Sequence, residues 1–197
     1  MKWEVSKVSI PVFDLEESIN FYNFILGNDI ETKINDIDFL DEYYVCGGNI
    51  ELRLYKLKNE LSNNHSSQSR RTFPTLALNN LDLIVKSLKD DGINYSINEH
   101  DKSIIIQEPG LNFIELINLE TSKKISNKEE NNKWNFHHIN LECYDVRSSV
   151  NFVSQYLKMK EGAWKAPIEL GKVNIKPNQL AIFNLDDNHS GIHINKA

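Results

Sequence analysis

Imidazole and carboxylate side chains carry the most recognisable chemistry of this sequence. The chain has six histidines, and two of them, His138 and His193, lie in apolar, strand-like runs of its last third. Neutral imidazole is a good ligand for Zn, Fe, Ni or Cu. Glu51 and Glu115 lie in similar runs and offer carboxylates. A single strand histidine is more often packed or exposed than a ligand, so the elements that position these residues decide their role.

Other catalytic arrangements are absent from the sequence. It contains no nucleophile elbow, no phosphate-binding loop and no Cys-x-x-Cys pair. The two cysteines, Cys46 and Cys143, occupy similar places in apolar runs without metal-type spacing. They are predicted to be packed free thiols.

The composition indicates a globular protein and argues against a nucleic-acid or membrane partner. The 197 residues are 40% hydrophobic and 25% charged, and a chain of this length buries roughly 70% of its unfolded surface. The net charge of −6, without a basic stripe, argues against nucleic-acid binding. No apolar run reaches the ~18 residues of a membrane helix. The first strand follows Met1 closely, so a cytoplasmic protein without a signal peptide is expected.

A repeat organises the chain. The segment 7–27 returns from His138 onward at an offset of 131 residues, and a fainter copy begins at Phe73, at an offset of 66. In each copy an alternating strand leads, through an Asp or Asn able to cap it, into an amphipathic helix. The positions shared by the first and last copies are Asp14/Asp145, Ser18/Ser149, Asn20/Asn151, Phe21/Phe152 and Leu26/Leu157.

The repeat predicts three βαβββ modules and an α+β protein. Module one is predicted at 1–57, module two at 72–119 and module three at 134–197. The segments between them, 58–71 and 120–133, are polar and charged and are predicted to be linkers.

The Asp14-Leu15 pair before Ser18–Tyr22, with the run Glu108–Leu116, resembles the vicinal-oxygen-chelate superfamily. That superfamily includes glyoxalase I, bleomycin- and fosfomycin-resistance proteins, methylmalonyl-CoA epimerase and extradiol dioxygenases. The resemblance implies paired βαβββ modules whose sheets form a bowl. It also implies a divalent metal bound by residues of the first and last strand of each module.

The resemblance assigns two ligand positions to each module. The first-strand positions hold Lys7, Phe73 and His138, and the last-strand positions hold Glu51, Glu115 and His193. Modules one and two are expected to pair, and their bowl then offers two carboxylates but no third ligand, so it is expected to be metal-free. Lys7 is expected to lie between Glu51 and Glu115 and to offset their repulsion. That bowl is either a plain core or a metal-independent ligand pocket, with Glu51 and Glu115 as candidate catalytic bases.

Module three offers two imidazoles, and a divalent metal (Zn, Fe, Ni or Mn) bound by His138 and His193 is expected there. His137 should point to the opposite sheet face, because side chains alternate along a strand, and it is treated as a spectator. Since module three has no partner module in this scheme, it is expected to pair with its copy in a homodimer. The alternative is a shortened relative of the four-module extradiol dioxygenases that lacks the fourth module.

Two functions follow from the resemblance. The first is a metal-dependent lyase, isomerase or dioxygenase that acts on a small oxygen-rich substrate. The second is a non-enzymatic, metal-independent protein of the resistance type, which sequesters a small molecule.

Overall fold

We describe a computed structural model of the chain for residues 4–27, 35–37, 40–45, 48–58, 72–98, 102–109, 112–118, 134–162, 178–184 and 191–197. These residues form three helices and eleven strands. In chain order the elements are β1 Lys7–Pro11, α1 Leu15–Leu26, β2 Asn35–Ile37, β3 Leu40–Val45, β4 Glu51–Leu57, β5 Phe73–Leu78, α2 Leu81–Asp90, β6 Tyr95–Asn98, β7 Ser103–Gln107, β8 Phe113–Asn118, β9 Trp134–Cys143, α3 Val146–Tyr156, β10 Leu180–Asn184 and β11 Gly191–Lys196.

The repeated aspartates cap helices as the sequence indicates. Asp14 accepts a hydrogen bond from the backbone N–H of Glu17 (3.0 Å) at the start of α1. Asp145 accepts from the N–H groups of Arg147 (2.9 Å) and Ser148 (3.2 Å) at the start of α3. Both carboxylates satisfy N–H groups that have no partner inside the helix. Gly27 ends α1 in the left-handed conformation, at φ 64°.

The strands form two mixed sheets. Module one makes a four-stranded sheet in the order β1-β4-β3-β2, in which the edge strand β1 runs parallel to the interior strand β4. Modules two and three share a seven-stranded sheet in the order β10-β11-β9-β5-β8-β7-β6. Each module therefore places its first strand beside its last strand.

The pairing of the modules differs from the sequence-based expectation. The first strands of modules two and three, β5 and β9, run antiparallel and join their modules into one sheet. Module two was expected to pair with module one, and module three with a second subunit. Because β9 pairs with β5 of the same chain, module three does not need a second subunit to extend its sheet.

A β-bulge interrupts the β5–β9 ladder. Thr75 pairs with His138, but its neighbour Leu76 pairs with Phe136, so His137 is an extra residue in β9. A bulge of this kind shifts the alternation of side chains along the strand. As a result Trp134 and Phe136 project from the sheet face that packs on the core, whereas His138 and Asn140 project from the opposite face.

Helices cover one face of the large sheet and module one packs on the same side. Tyr22 and Ile25 of α1 share one apolar core with Leu88 of α2 and with Trp134 and Phe136 of β9. A second apolar cluster joins α3 to β10 and β11 through residues such as Val150 and Phe183. The other face of the large sheet carries the candidate functional residues described below.

Specific contacts hold module one against the rest. Gly48 lies so close to the ring of Trp134 that an added Cβ would overlap the ring carbons. Asn49 accepts a hydrogen bond from the N–H of Phe136 through Oδ1 (2.7 Å), and Asn112 donates through Nδ2 to the carbonyl of Pro11 (2.7 Å). These contacts fix module one to both β9 and the loop before β8.

Several predicted segments lie outside the described residues. They include 29–33 and 163–168, which the sequence pattern predicts to be strands, and nearly all of both predicted linkers. None of the described helices is both long enough and apolar enough to cross a membrane.

Candidate functional site

The face of the large sheet opposite the helices brings together three ligand positions named from the sequence. Thr75, near the middle of β5, is the register partner of Glu115 on one side and of His138 on the other. His193 of β11 is the register partner of Asn140 of β9. Directly paired residues of neighbouring strands project to the same face. Glu115, His138 and His193 therefore share one face, at the junction of modules two and three.

Glu115 is held by two hydroxyl groups inside the sheet. Its carboxylate accepts hydrogen bonds from Thr75 Oγ1 at 2.7 Å and from Ser103 Oγ at 2.6 Å. Thr75 and Ser103 are fully buried, and Glu115 is 7% exposed. Its Oε2 is 3.9 Å from His138 Nε2. The carboxylate is thus fixed in place and faces the imidazole.

His138 lies at the centre of this group. Its Nε2 is 3.1 Å from Asn140 Nδ2 and 3.1 Å from Thr75 Oγ1. Burial, together with the neighbouring His193 and His137, holds the pKa of His138 well below its usual 6.5. The ring is therefore neutral at neutral pH, which is the form that binds metals.

His193 stacks on His138. The ring centroids are 3.9 Å apart and the planes differ by 20°. The sequence-based expectation that these two residues occupy neighbouring strands is confirmed, since β9 and β11 are paired.

His137 does not lie on the opposite face, so the expectation about its orientation is wrong. Its Nδ1 is 2.7 Å from Nδ1 of His138, and the ring centroids are 5.0 Å apart. The cause is the bulge, which removes the strict alternation on which the expectation depended.

The ligand positions of module one lie elsewhere. Lys7 pairs with Glu51 at 3.2 Å, in an ion pair whose side chains are 39% and 61% exposed. Lys7 also lies over the ring of Tyr44, 5.2 Å from its centroid. Glu115, which was expected beside this pair, belongs to the other sheet. An exposed ion pair of this kind contributes little to stability.

A pocket of about 460 Å³ is lined by Phe73, Asn140, Gln179, Asn195, Lys196 and Ala197. Asn140 connects the pocket to the histidines, because it contacts His138 through Nδ2 and accepts a hydrogen bond from Asn195 Nδ2 at 3.2 Å. A small ligand in this pocket would lie next to the candidate ligands.

Comparison with solved structures identifies the fold. Glyoxalase I from Zea mays superposes with a TM-score of 0.62 at 14% identity, over 96% of this chain and 65% of the maize chain. A proposed dioxygenase from Bacillus subtilis gives 0.62 at 11% identity, over 98% of this chain and 64% of the other. The trypanothione-dependent glyoxalase I of Leishmania major gives 0.52 at 19% identity, over 62% and 91%. The chain has the vicinal-oxygen-chelate fold.

Only the fold follows from this likeness. The chain spans less than two thirds of the length of the maize and Bacillus structures. No protein-family model matches the sequence, and no curated protein matches it either. Any activity of this chain depends on the residues that its vicinal-oxygen-chelate scaffold brings together.

Glu115, His138 and His193 are residue types that bind divalent metals, but the two imidazoles are not arranged around a common point. Two imidazoles and one carboxylate are a set that binds Zn or Fe. The rings of His138 and His193 are stacked, however, with centroids 3.9 Å apart and planes that differ by 20°. Within the described residues no group of three or more His, Cys, Asp or Glu side chains is arranged to hold an ion. Binding of a metal by both imidazoles would require His193 to leave the stack.

The depressed pKa of His138 predicts a specific pH dependence of stability. Below the unfolded pKa of 6.5 the unfolded chain binds a proton that the folded chain does not, so the free energy of unfolding falls as pH falls. For one proton the slope is at most about 1.4 kcal/mol per pH unit. In urea titrations with chelator at pH 7.5 and 5.5, we expect His138→Gln to lose less stability than the wild type. Equal losses would contradict the burial of a neutral imidazole.

Proposed function

We propose that the chain is a divalent-metal-dependent enzyme of the glyoxalase-like group, a lyase, isomerase or dioxygenase that acts on a small oxygen-rich substrate. The observation that supports this is the convergence of Glu115, His138 and His193 on one face. The carboxylate lies 3.9 Å from one imidazole, which stacks at 3.9 Å on the other. These three residues would hold Zn, Fe, Ni or Mn. Such an ion supplies Lewis acidity that polarises two neighbouring substrate oxygens.

The surrounding residues position these groups. Thr75 and Ser103 fix both oxygens of Glu115, which lowers the entropic cost of using the carboxylate as a ligand. Asn140 orients the His138 ring and borders the pocket. Phe73, which cannot be a ligand, supplies an apolar wall to that pocket and limits the access of water to a bound substrate. Glu51 has no place in this site.

The second candidate function is metal-independent sequestration of a small molecule. It is favoured by the stack of His138 on His193 and by the two hydroxyl groups that already satisfy Glu115. In this function the small molecule binds in the pocket beside Phe73 and Asn140, and the Glu115 carboxylate has a structural role only.

Metal analysis separates the two functions. Purified protein, incubated with equal concentrations of Zn²⁺, Fe²⁺, Ni²⁺ and Mn²⁺ and freed of excess ions, should retain about one ion per chain, because a set of three protein ligands binds an ion stoichiometrically. We expect His138→Ala to lose that ion, as measured by inductively coupled plasma mass spectrometry. Glu51→Gln is the matched control and should retain it, since Glu51 is exposed and lies in the other sheet. Wild-type protein without stoichiometric metal would overturn the enzyme proposal and favour sequestration.

A further inference from the structure

Module one has an open sheet edge. Its first strand, β1, pairs with β4 on one side, and none of the described strands pairs with its other side. Along a strand the backbone groups of successive residues point to alternate sides. The C=O of Ser6 and the N–H of Val12 bond to β4, at 3.0 and 2.8 Å. Lys7 and Ser9, at odd-numbered positions between them, therefore direct their backbone N–H and C=O groups to the open side.

The equivalent strands of modules two and three are paired with each other. Pro74 of β5 lies opposite Ile139 of β9, and both correspond to Val8 in the repeat, at offsets of 66 and 131 residues. The residues on either side of them pair crosswise, Phe73 with Asn140 and Thr75 with His138. The first residue of one copy thus lies opposite the third residue of the other, so the register is symmetric about the position of Val8.

Two copies of β1 can form the same ladder. Val8 would then lie opposite Val8 of a second chain, on a two-fold axis, and Lys7 would lie opposite Ser9 in both directions. In such an interface each contact occurs twice. Lys7 and Ser9 are the residues whose backbone groups face the open side, and each of their pairs would exchange two hydrogen bonds. No like charges would lie directly opposite, because Lys7 faces a serine.

The side chains at the open edge fit this pairing. Ser9 is exposed, whereas Thr75, its equivalent in the paired strand β5, is fully buried. Lys7 already pairs with Glu51 at 3.2 Å. A second copy would therefore meet an ion pair rather than a single charge.

Pro11 limits the length of the ladder. It has no N–H to donate, and its C=O already accepts a hydrogen bond from Asn112 Nδ2 at 2.7 Å. Pairing is therefore confined to Lys7–Ser9. So short a ladder gives an interface at the low end of the size range of protein–protein contacts, and we expect it to dissociate on dilution.

We propose that β1 is a dimerisation strand: two chains pair through Lys7–Ser9, antiparallel, across a two-fold axis at Val8. The pairing joins the four-stranded sheets of two chains into one continuous sheet, as β5 and β9 join modules two and three. The second subunit expected from the sequence at module three lies at module one instead. The pairing does not depend on the proposed function, since no metal or substrate takes part in it.

Sedimentation velocity over a range of concentrations tests the association. We expect the wild type to pass from 22.8 kDa to twice that mass as its concentration rises. Ser9→Pro removes an N–H that the ladder uses and should raise the midpoint concentration by roughly 10-fold or more. Tyr156→Ser changes a side chain that is 64% exposed on α3 and should associate like the wild type. A wild type that stays monomeric, or a Tyr156→Ser protein that loses the dimer, overturns the proposal.

Disulfide cross-linking tests the register and does not depend on the folding of Ser9→Pro. In a Cys46→Ala, Cys143→Ala background, Val8→Cys should form a covalent dimer on oxidation, because directly opposed residues outside the hydrogen-bonded pairs have Cα atoms about 4.5 Å apart. Ser9→Cys is the matched control. In this register its copy lies two residues further along the strand, beyond the ~7 Å that a disulfide spans, so it should stay unlinked. Any result other than linkage at Val8 alone overturns the register.

Discussion

Replacing Glu108 by alanine is expected to lower the free energy of unfolding by about 3 kcal/mol or more, the largest stability effect we predict. Glu108 is 1% exposed and accepts hydrogen bonds from Ser18 Oγ at 3.2 Å and from the N–H of Asn112 at 3.1 Å, as well as from Asn112 Nδ2. Hydrogen bonds to a charged group contribute roughly 1.5–3 kcal/mol each, and buried donors left without a partner add a penalty. Urea denaturation monitored by circular dichroism measures the change.

Two variants in α1 serve as controls. Tyr22 is fully buried, and its hydroxyl has no hydrogen-bond partner within the described residues. Burial, with a contribution from Glu108, raises the pKa of Tyr22 well above 10, so the hydroxyl stays neutral. Tyr22→Phe should therefore be nearly neutral or slightly stabilising. The exposed Glu16→Ala should change stability by no more than about 0.5 kcal/mol. A Glu108→Ala protein as stable as Glu16→Ala would show that this carboxylate does not join α1 to module two.

The modules could be predicted from the sequence because their signals are local. The caps at Asp14 and Asp145 and the left-handed Gly27 are set by residues within one helical turn. The residue pattern of a strand is also local, and β7, Ser103–Gln107, begins and ends at the residues that the sequence predicts. Other strand ends differ from those expected by one or two residues, as at β9, which begins at Trp134 rather than at 136. The short strand β2, Asn35–Ile37, was not predicted.

The pairing of modules could not be predicted from the repeat, because copies of one unit present similar edges. A usable signal existed in β5. From Pro74 to Leu78 every residue of this strand is buried, whereas β1 alternates between exposed and buried residues. A continuous apolar strand such as Leu76-Ala77-Leu78 is typical of the middle of a sheet. The alternation of exposed and buried residues in β1 is typical of a strand with one face toward solvent. β1 lies at the edge of its sheet.

The site was predicted in part. The resemblance assigned Glu115, His138 and His193 to ligand positions, and the structure brings these positions to one face. Glu115 was expected in a bowl with Glu51 because modules one and two were paired wrongly. His137 was missed because a bulge depends on the register between strands that are distant in the sequence. No residue of β9 by itself indicates it.

Removing the Glu115 carboxylate is expected to have the largest effect on the proposed site. Glu115→Ala should lower the affinity for the retained ion by on the order of 100-fold or more, since loss of an outer partner alone costs 10- to 100-fold. Isothermal titration calorimetry measures the change. Glu51→Ala removes an equivalent last-strand carboxylate from module one and should leave the affinity unchanged, because that residue pairs with Lys7 on the surface.

The two glutamates distinguish a site made by modules two and three from one made by module one. Glu115 faces His138 at 3.9 Å and is held by buried hydroxyl groups, so its loss removes a pre-positioned negative charge from the cation. A reversed result, with Glu51→Ala the weaker binder, would move the site to the four-stranded sheet and leave the histidine stack as packing. Unchanged affinity in both variants would mean that the imidazoles bind the ion without a carboxylate from either last strand.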